Sequence, residues 1–200
     1  MEALLGPQLR RKAGGSVRTS DALADARFVL VYCSASWCGP CRQFTPQLAE
    51  FFKTAAARLR AAVVLVSCDR DESAFLSYFS KMPWDLALEP EDRFGAALMH
   101  AHGVRGIPAL LVFSAAGALV TSKGVEGLSR DPSGGAFPWV GAAGADIGRR
   151  VALRGLAARA ELNGRHGVVE TVVAASGRLQ VGLDAPREVV AVRRENVDFL

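Results

Sequence analysis

The sequence predicts an α/β domain, with a mixed central sheet flanked by helices in three layers, followed by a small all-β module. Three observations carry this reading. Short apolar runs rich in β-formers alternate with amphipathic helical stretches as far as about residue 122. A pair of cysteines sits where the first of these runs gives way to a helical pattern. Beyond Trp139 the pattern changes to short strands separated by turn residues.

The first strand falls within Asp25 to Ser36, where Phe28-Val29-Leu30-Val31-Tyr32-Cys33 is apolar without alternation, as in a strand buried on both faces. Trp37-Cys38-Gly39-Pro40-Cys41 follows, and then Phe44, Leu48, Phe51, Phe52, Ala55 and Leu59 recur at helical spacing. Pro46 lies inside that pattern and is expected to kink the helix, because it removes a backbone donor. Val63 to Cys68 reads as a second buried strand. Asp71 can cap the next helix, whose apolar face is Phe75, Tyr78, Phe79 and Met82 and which must stop at Pro83. A short helix is expected between Glu91 and Ala101. Gly106-Ile107-Pro108 then leads into a strand from Ala109 to Ser114, and the turn Ala115-Ala116-Gly117 joins it to Leu119–Ser122 as a hairpin. The strand–helix–strand–helix order implies a parallel core with right-handed crossovers, to which the hairpin adds an antiparallel edge.

Val140-Gly141-Ala142-Ala143-Gly144-Ala145 is small and flexible in composition. The expected organisation is therefore a first domain over 1–140, a linker over 141–148 and a second module over 149–200. In the last of these, short strands are expected at Arg150 to Leu156, Gly167 to Ala174, Arg178 to Leu183 and Glu188 to Val192. Turn signals at Asn163-Gly164, Ser176-Gly177 and Asp184-Ala185-Pro186 separate them. The pattern suggests a small SH3-like β-barrel. No internal repeat is visible.

The chain has 200 residues, 50% hydrophobic and 22% charged, the composition of a folded globular protein. Its net charge of +4 is interspersed, and the only basic cluster is Arg10-Arg11-Lys12. A nucleic-acid binder is expected to show a basic stripe with aromatics between the charges, so no nucleic-acid partner is expected. No apolar run approaches the roughly 20 residues needed to span a bilayer, so no membrane partner is expected either. The opening residues lack a charged start with a long apolar run, which argues against a secretory signal. The stretch to Arg18 is basic and poor in acids, leaving an organelle transit peptide as the lesser alternative. With 4 cysteines the chain suits a reducing compartment in which a cysteine pair does chemistry or binds metal. A cytoplasmic location is expected, with nucleus or cilium as alternatives.

The chemistry points to Cys38 and Cys41. Between a buried strand and a helix, Cys38 would sit where unpaired N–H groups and the positive end of the helix dipole stabilise a thiolate. Lowering its pKa from about 8.5 towards about 7 raises the attacking fraction near neutrality. Cys41, one turn on and more buried, is placed to resolve a mixed disulfide formed on Cys38. Pro40 fixes the backbone at the helix start and Gly39 keeps the approach open. The alternative is a zinc site using Cys38 and Cys41 with Cys33 and Cys68. Closed zinc sites present two short knuckles of ligands, whereas Cys33 and Cys68 lie in strand patterns, so the redox reading is favoured. Cys33 and Cys68 read as small core residues, with regulation at Cys68 as an alternative. His100 and His102 read as surface residues and His166 as structural. On sequence alone Pro108 is as readily an ordinary trans proline at a strand start as a cis one.

Several motifs occur in one order: Leu4-Leu5-Gly6; Ser34-Ala35-Ser36-Trp37-Cys38 into Phe44-Thr45-Pro46; Val66-Ser67 with Asp69-Arg70-Asp71; Tyr78-Phe79; Met82-Pro83-Trp84; Asp92-Arg93; Val104-Arg105-Gly106-Ile107-Pro108; and Phe137-Pro138-Trp139. Over Leu4 to Trp139 they make the chain resemble the nucleoredoxin and tryparedoxin branch of the thioredoxin superfamily. The resemblance implies a thioredoxin-like fold and a protein-disulfide reductase that works through the dithiol without a bound cofactor. It also implies an external reductant, either a reductase or a low-molecular-weight thiol donor, and protein disulfides as substrates. It makes Pro108 a cis proline facing the dithiol, with the Ile107 backbone exposed for pairing with substrate. Trp37, Gly39, Pro40, Trp84, Ile107 and Pro108 become the substrate surface, with core packing as the alternative for Trp84. Tyr32 stands where thioredoxins place a buried aspartate. Gly39-Pro40 replaces the Pro-Pro usual in this branch, and Asp85-Leu86-Ala87-Leu88-Glu89-Pro90 differs from its usual apolar run, so Asp85 is a candidate to alter what docks beside Trp84. Ala160-Glu161-Leu162-Asn163-Gly164 resembles a small β-barrel module, which implies an interaction role for 149–200 in a larger assembly.

Overall fold

The computed structural model describes residues 1–140, 146–173 and 176–200. Two compact units are present, Met1–Trp139 and Val140–Leu200.

The first unit opens with helix α1 (Glu2–Leu5), strands β1 (Gln8–Arg11) and β2 (Ser16–Arg18), and helix α2 (Thr19–Ala22). Strand β3 (Phe28–Ser34) leads into helix α3 (Gly39–Phe51), which continues through a π-helical turn (Phe52–Ala56) into α4 (Ala57–Leu59). Helix α3 passes through Pro46 without ending there. Arg60 stops the run in a left-handed conformation, and β4 (Ala61–Ser67) begins at once. Helix α5 (Glu72–Phe79), strand β5 (Leu86–Leu88), helix α6 (Arg93–Ala101), the hairpin β6 (Ala109–Ser114) and β7 (Leu119–Thr121), and helix α7 (Gly124–Arg130) complete the unit.

The seven strands form one sheet in the order β2-β1-β5-β4-β3-β6-β7. β3 and β4 pair in parallel from Phe28↔Ala61 to Ser34↔Ser67, β5 adds in parallel to β4, and β6 runs antiparallel to β3. All seven residues of β3 are buried, as its unbroken apolar run requires. Val29, Val31 and Cys33 join Leu5, Val64, Val66, Leu98 and Leu111 in one core cluster. Tyr32, pointing the other way by the period-2 alternation of strands, meets Phe44 of α3.

Two parts of this unit depart from the sequence reading. The basic cluster lies on and just after β1, between β2 and β5: Arg10 pairs with Glu89 at 3.0 Å and Arg11 with Asp85 at 3.5 Å. The Lys12 backbone N–H donates to Asp85 Oδ1 at 2.9 Å, and its ammonium binds the Met82 carbonyl. Asp85 is thus engaged by β1 and its flank. Helix α7 lies in a stretch to which the sequence assigns no element.

In the second unit, β8 (Arg150–Leu153), β9 (His166–Val172), β10 (Leu179–Leu183), β11 (Val189–Val192) and β12 (Val197–Phe199) form an all-antiparallel sheet ordered β11-β10-β9-β8-β12. The expected strand end at Ala174 and most of the expected linker, 141–145, lie outside the described residues. The sheet does not close into the expected barrel. β11 and β12 occupy opposite edges with three strands between them, and at four and three residues they offer few backbone groups for a closing ladder.

Candidate active site

The parallel strands β3 and β4 end side by side, and the loops leaving them meet the loop that enters β6. Crevices outside the carboxyl ends of parallel strands are where α/β sheets gather functional groups. Here they gather sulfur. Cys38 and Cys41 are joined in a disulfide, with Cα atoms 5.2 Å apart. Cys38 is the N-cap of α3, and the Cys41 backbone N–H donates to Cys38 Sγ at 3.2 Å. Pro40 stands in the first turn of α3, where a missing N–H costs nothing because no intrahelical acceptor exists for it. Of the two cysteines, Cys38 keeps 5% of its surface and Cys41 keeps 0%, so an attacking reagent meets Cys38 first.

Around this pair pack Ala35, Cys68 and Ile107. The Ile107–Pro108 peptide is cis, and the Ile107 carbonyl oxygen lies 3.6 Å from Cys38 Sγ. Trp37 is 54% exposed, and its indole Nε1–H donates to the Cys68 carbonyl at 3.1 Å, so an open aromatic face is fixed beside the dithiol. Gly39 is unobstructed on its surface side. Trp84 departs from the expected substrate surface. It is 1% exposed and packs against Tyr32 and Phe52, so its size is spent in the core.

The roles of two groups of residues escaped the sequence reading. Asp69, buried at the end of β4, accepts the Ser36 N–H at 2.8 Å, the Ser36 hydroxyl at 2.7 Å and the Ser67 hydroxyl at 3.1 Å. It therefore fixes the turn that presents Trp37 and Cys38. The available signal was its place just beyond a buried strand that pairs with β3. Beneath Cys41, the Thr45 hydroxyl donates to the Cys41 carbonyl at 2.8 Å and meets the hydroxyls of Tyr32 at 2.8 Å and Tyr78 at 2.7 Å. Ser34 extends this chain to Tyr78 at 3.0 Å. Burial pushes the Tyr32 hydroxyl far above its ordinary pKa, so it stays protonated and acts as a hydrogen-bonding strut rather than a base.

Burial also pushes the Cys33 thiol up, to about 12, and the Cys68 thiol up, the latter aided by the Asp69 carboxylate. Cys33 lies wholly in the core and Cys68 is half-buried, its sulfur 3.8 Å from that of Met99. His100 is exposed, and His102 packs edge-on against Phe113. Among the described residues no helix is long and apolar enough to cross a membrane.

A dithiol capping a helix after a buried strand, faced by a cis proline, defines a thioredoxin-like domain, and residues 25–119 match the family model described as Thioredoxin-like. Nucleoredoxin of Danio rerio is 36% identical over 140 residues, which cover 69% of this chain and 32% of that protein. Tryparedoxin of Trypanosoma brucei brucei is 43% identical over 113 residues, covering 56% and 78%. A tryparedoxin II solved in complex with glutathionylspermidine superposes with a TM-score of 0.62 at 36% identity, covering 66% of this chain and 92% of that one. The chain belongs to the nucleoredoxin and tryparedoxin branch of the thioredoxin superfamily. It spans about a third of the nucleoredoxin it matches.

Proposed function

We propose that the protein is a thiol–disulfide oxidoreductase of the thioredoxin type that reduces protein disulfides through Cys38 and Cys41. In the reduced protein the Cys38 thiolate attacks one sulfur of a substrate disulfide, and the other substrate sulfur leaves as a thiolate. The Cys41 thiolate then attacks Cys38 Sγ in the mixed disulfide and expels the second substrate thiol. Two electrons have passed to the substrate, and the protein is left with the Cys38–Cys41 disulfide present here. An external dithiol or two monothiols reset it, and no bound cofactor is invoked. Glutathionylspermidine, bound in a tryparedoxin relative, makes a low-molecular-weight thiol a reasonable donor class.

The observation that carries the reading is the Cys41 N–H aimed at Cys38 Sγ from the first turn of a 13-residue helix. The same N–H and the helix dipole would stabilise a thiolate on that sulfur once the disulfide opens. Substrate pairing is supported by Ile107, whose backbone N–H and carbonyl form no backbone hydrogen bond among the described residues. An extended segment laid along it would bring its disulfide to Cys38.

Insulin reduction with dithiothreitol as donor tests the assignment. Cys38→Ser is expected to lose essentially all turnover, while Cys41→Ser accumulates a mixed disulfide with substrate that mass spectrometry detects. Full turnover by Cys38→Ser would end the proposal.

A further inference from the structure

Three of the chain's 4 cysteines meet at one patch of the first unit. Ala35, Cys38 and Cys41 pack as a cluster, and Cys68 and Ile107 pack against it. The reductase reading uses two of these sulfurs and leaves the third without a part. Cys68 is held in place through its own backbone. Its N–H donates to the Ser34 carbonyl at 2.8 Å, and its carbonyl accepts the Trp37 indole N–H at 3.1 Å. The next residue, Asp69, accepts the Ser36 N–H at 2.8 Å and the Ser36 hydroxyl at 2.7 Å. The end of β4 is thus laced to the segment Ser34–Trp37, which runs directly into Cys38. The thiol itself is free to turn. Its one acceptor among the described residues is the Met99 thioether at 3.8 Å, a weak one. Cys68 is also half-buried, whereas Cys33, the remaining cysteine, is enclosed in the other core cluster with Val29, Val31 and Val64.

We propose that Cys68 is a reserve resolving thiol, which releases substrate from Cys38 when Cys41 does not. The inference rests on the reductase reading above and adds a residue to its second step. Cys68 gives its proton to solvent, and the thiolate attacks Cys38 Sγ in the mixed disulfide. A Cys38–Cys68 bond forms as the bond from Cys38 to substrate breaks, and the substrate sulfur leaves with the electron pair and takes a proton from water. No further oxidant or reductant enters, because one disulfide has replaced another. The Cys41 thiolate, where present, then attacks Cys38 Sγ, frees Cys68 and restores the Cys38–Cys41 pair. Cys41 has first claim on the step, since it lies one turn from Cys38 at the start of the same helix, with Cα atoms 5.2 Å apart. Burial and the Asp69 carboxylate hold the Cys68 thiol protonated, so its share of attacking thiolate is small and its route is slow. The ordinary cycle therefore closes on Cys41, and Cys68 acts on mixed disulfides that outlive it.

The test uses the full chain carrying Cys41→Ser, fully reduced and then given a limiting amount of hydroxyethyl disulfide at pH 8. Mass spectrometry should show a mercaptoethanol adduct on Cys38 that forms first and then decays to a protein two hydrogens lighter than the reduced one. Digestion without reduction should yield a pair of peptides joined through Cys38 and Cys68. With Cys68→Ser added to Cys41→Ser, the adduct should persist, its decay slowed by about 10-fold or more. Cys68→Ala in place of Cys68→Ser should do the same, which separates loss of the thiol from any effect of a new hydroxyl. Equal persistence of the adduct with and without Cys68 would overturn the proposal. So would a linkage of Cys38 to Cys33, or disulfide-linked dimers as the sole product. In each of these cases the adduct on Cys38 would still support the reductase, whereas failure of Cys38 to form any adduct would remove both.

Discussion

At the scale of single residues, four cysteines have been given different chemistries by burial and by backbone hydrogen bonding. Cys38 receives an N–H from the first helical turn, whereas Cys33 lies in the middle of the sheet and Cys68 is half-buried beside the Asp69 carboxylate. Desolvation disfavours a thiolate at both of the latter. With its pKa near 12, Cys33 has about 10⁻⁴ of its thiol ionised at pH 8, so alkylation there should be slow. The same shift bears on stability. An unfolded thiol ionises at an ordinary pKa and the folded one does not, so the unfolded state binds fewer protons above that value. Stability from Cys33 is therefore complete at neutral pH and is lost as pH climbs towards 12. In the oxidised protein at pH 8, a thiol reagent is expected to count two thiols after denaturation. In the native state it should modify Cys68 slowly and leave Cys33 untouched over the same time. Rapid native labelling of Cys33 would show that the strand opens far more readily than its packing indicates. The bonded pair Cys38–Cys41 was legible in the sequence because strand, Cys-x-x-Cys and helix are adjacent along the chain. Asp69 and the Thr45–Tyr32–Tyr78 hydroxyls were not, because their contacts to Ser36 and Cys41 join residues from different elements.

At the scale of elements, what the sequence revealed follows from periodicity. The buried runs of β3 and β4 and the apolar faces of α3 and α5 signal themselves. The strands β1, β2 and β5 are three or four residues long, and β1 and β2 are largely polar, so no period develops in them. Helix α7 was hidden for a different reason. Its seven residues include Gly124 and Gly127, and glycine lowers helix propensity by about 1 kcal/mol relative to alanine. Both glycines answer to packing. A Cβ on Gly124 would lie 2.5 Å from the Leu110 carbonyl oxygen, and one on Gly127 would lie 2.5 Å from the Trp139 ring. The helix therefore rests directly on the backbone of β6, the strand that follows Pro108. Propensity alone says that Gly124→Ala stabilises the protein. The contact with backbone, which cannot rotate away, says the opposite, and the expected outcome is a loss of about 1–3 kcal/mol in urea unfolding. An unchanged or raised midpoint would mean that α7 can lift from β6 at little cost.

At the scale of the whole molecule, the candidate site lies within one of the two units. Every residue placed at the dithiol, from Ser34 and Trp37 to Cys68 and Ile107, belongs to Met1–Trp139, and that unit has its own buried cluster centred on β3 and β4. The second unit buries Val151, Leu153, Val169, Leu179, Val181 and Leu183 within its own sheet. Its change to short strands and turn residues was plain in the sequence. Whether five such strands close on themselves was not, because closure depends on shear and strand tilt, which alternation does not encode. We take 149–200 to be an interaction module, a role that asks nothing of the dithiol. A chain ending at Trp139 should therefore unfold cooperatively and reduce hydroxyethyl disulfide, a small neutral substrate, within about 2-fold of the full chain, because a domain with its own core folds alone. Proteins recovered with the full chain from a cell extract should be lost from the truncated one. If truncation instead cuts small-disulfide turnover by tenfold or more while the remaining unit still folds, the second module contributes to the reaction itself, and its assignment as a separate docking element fails.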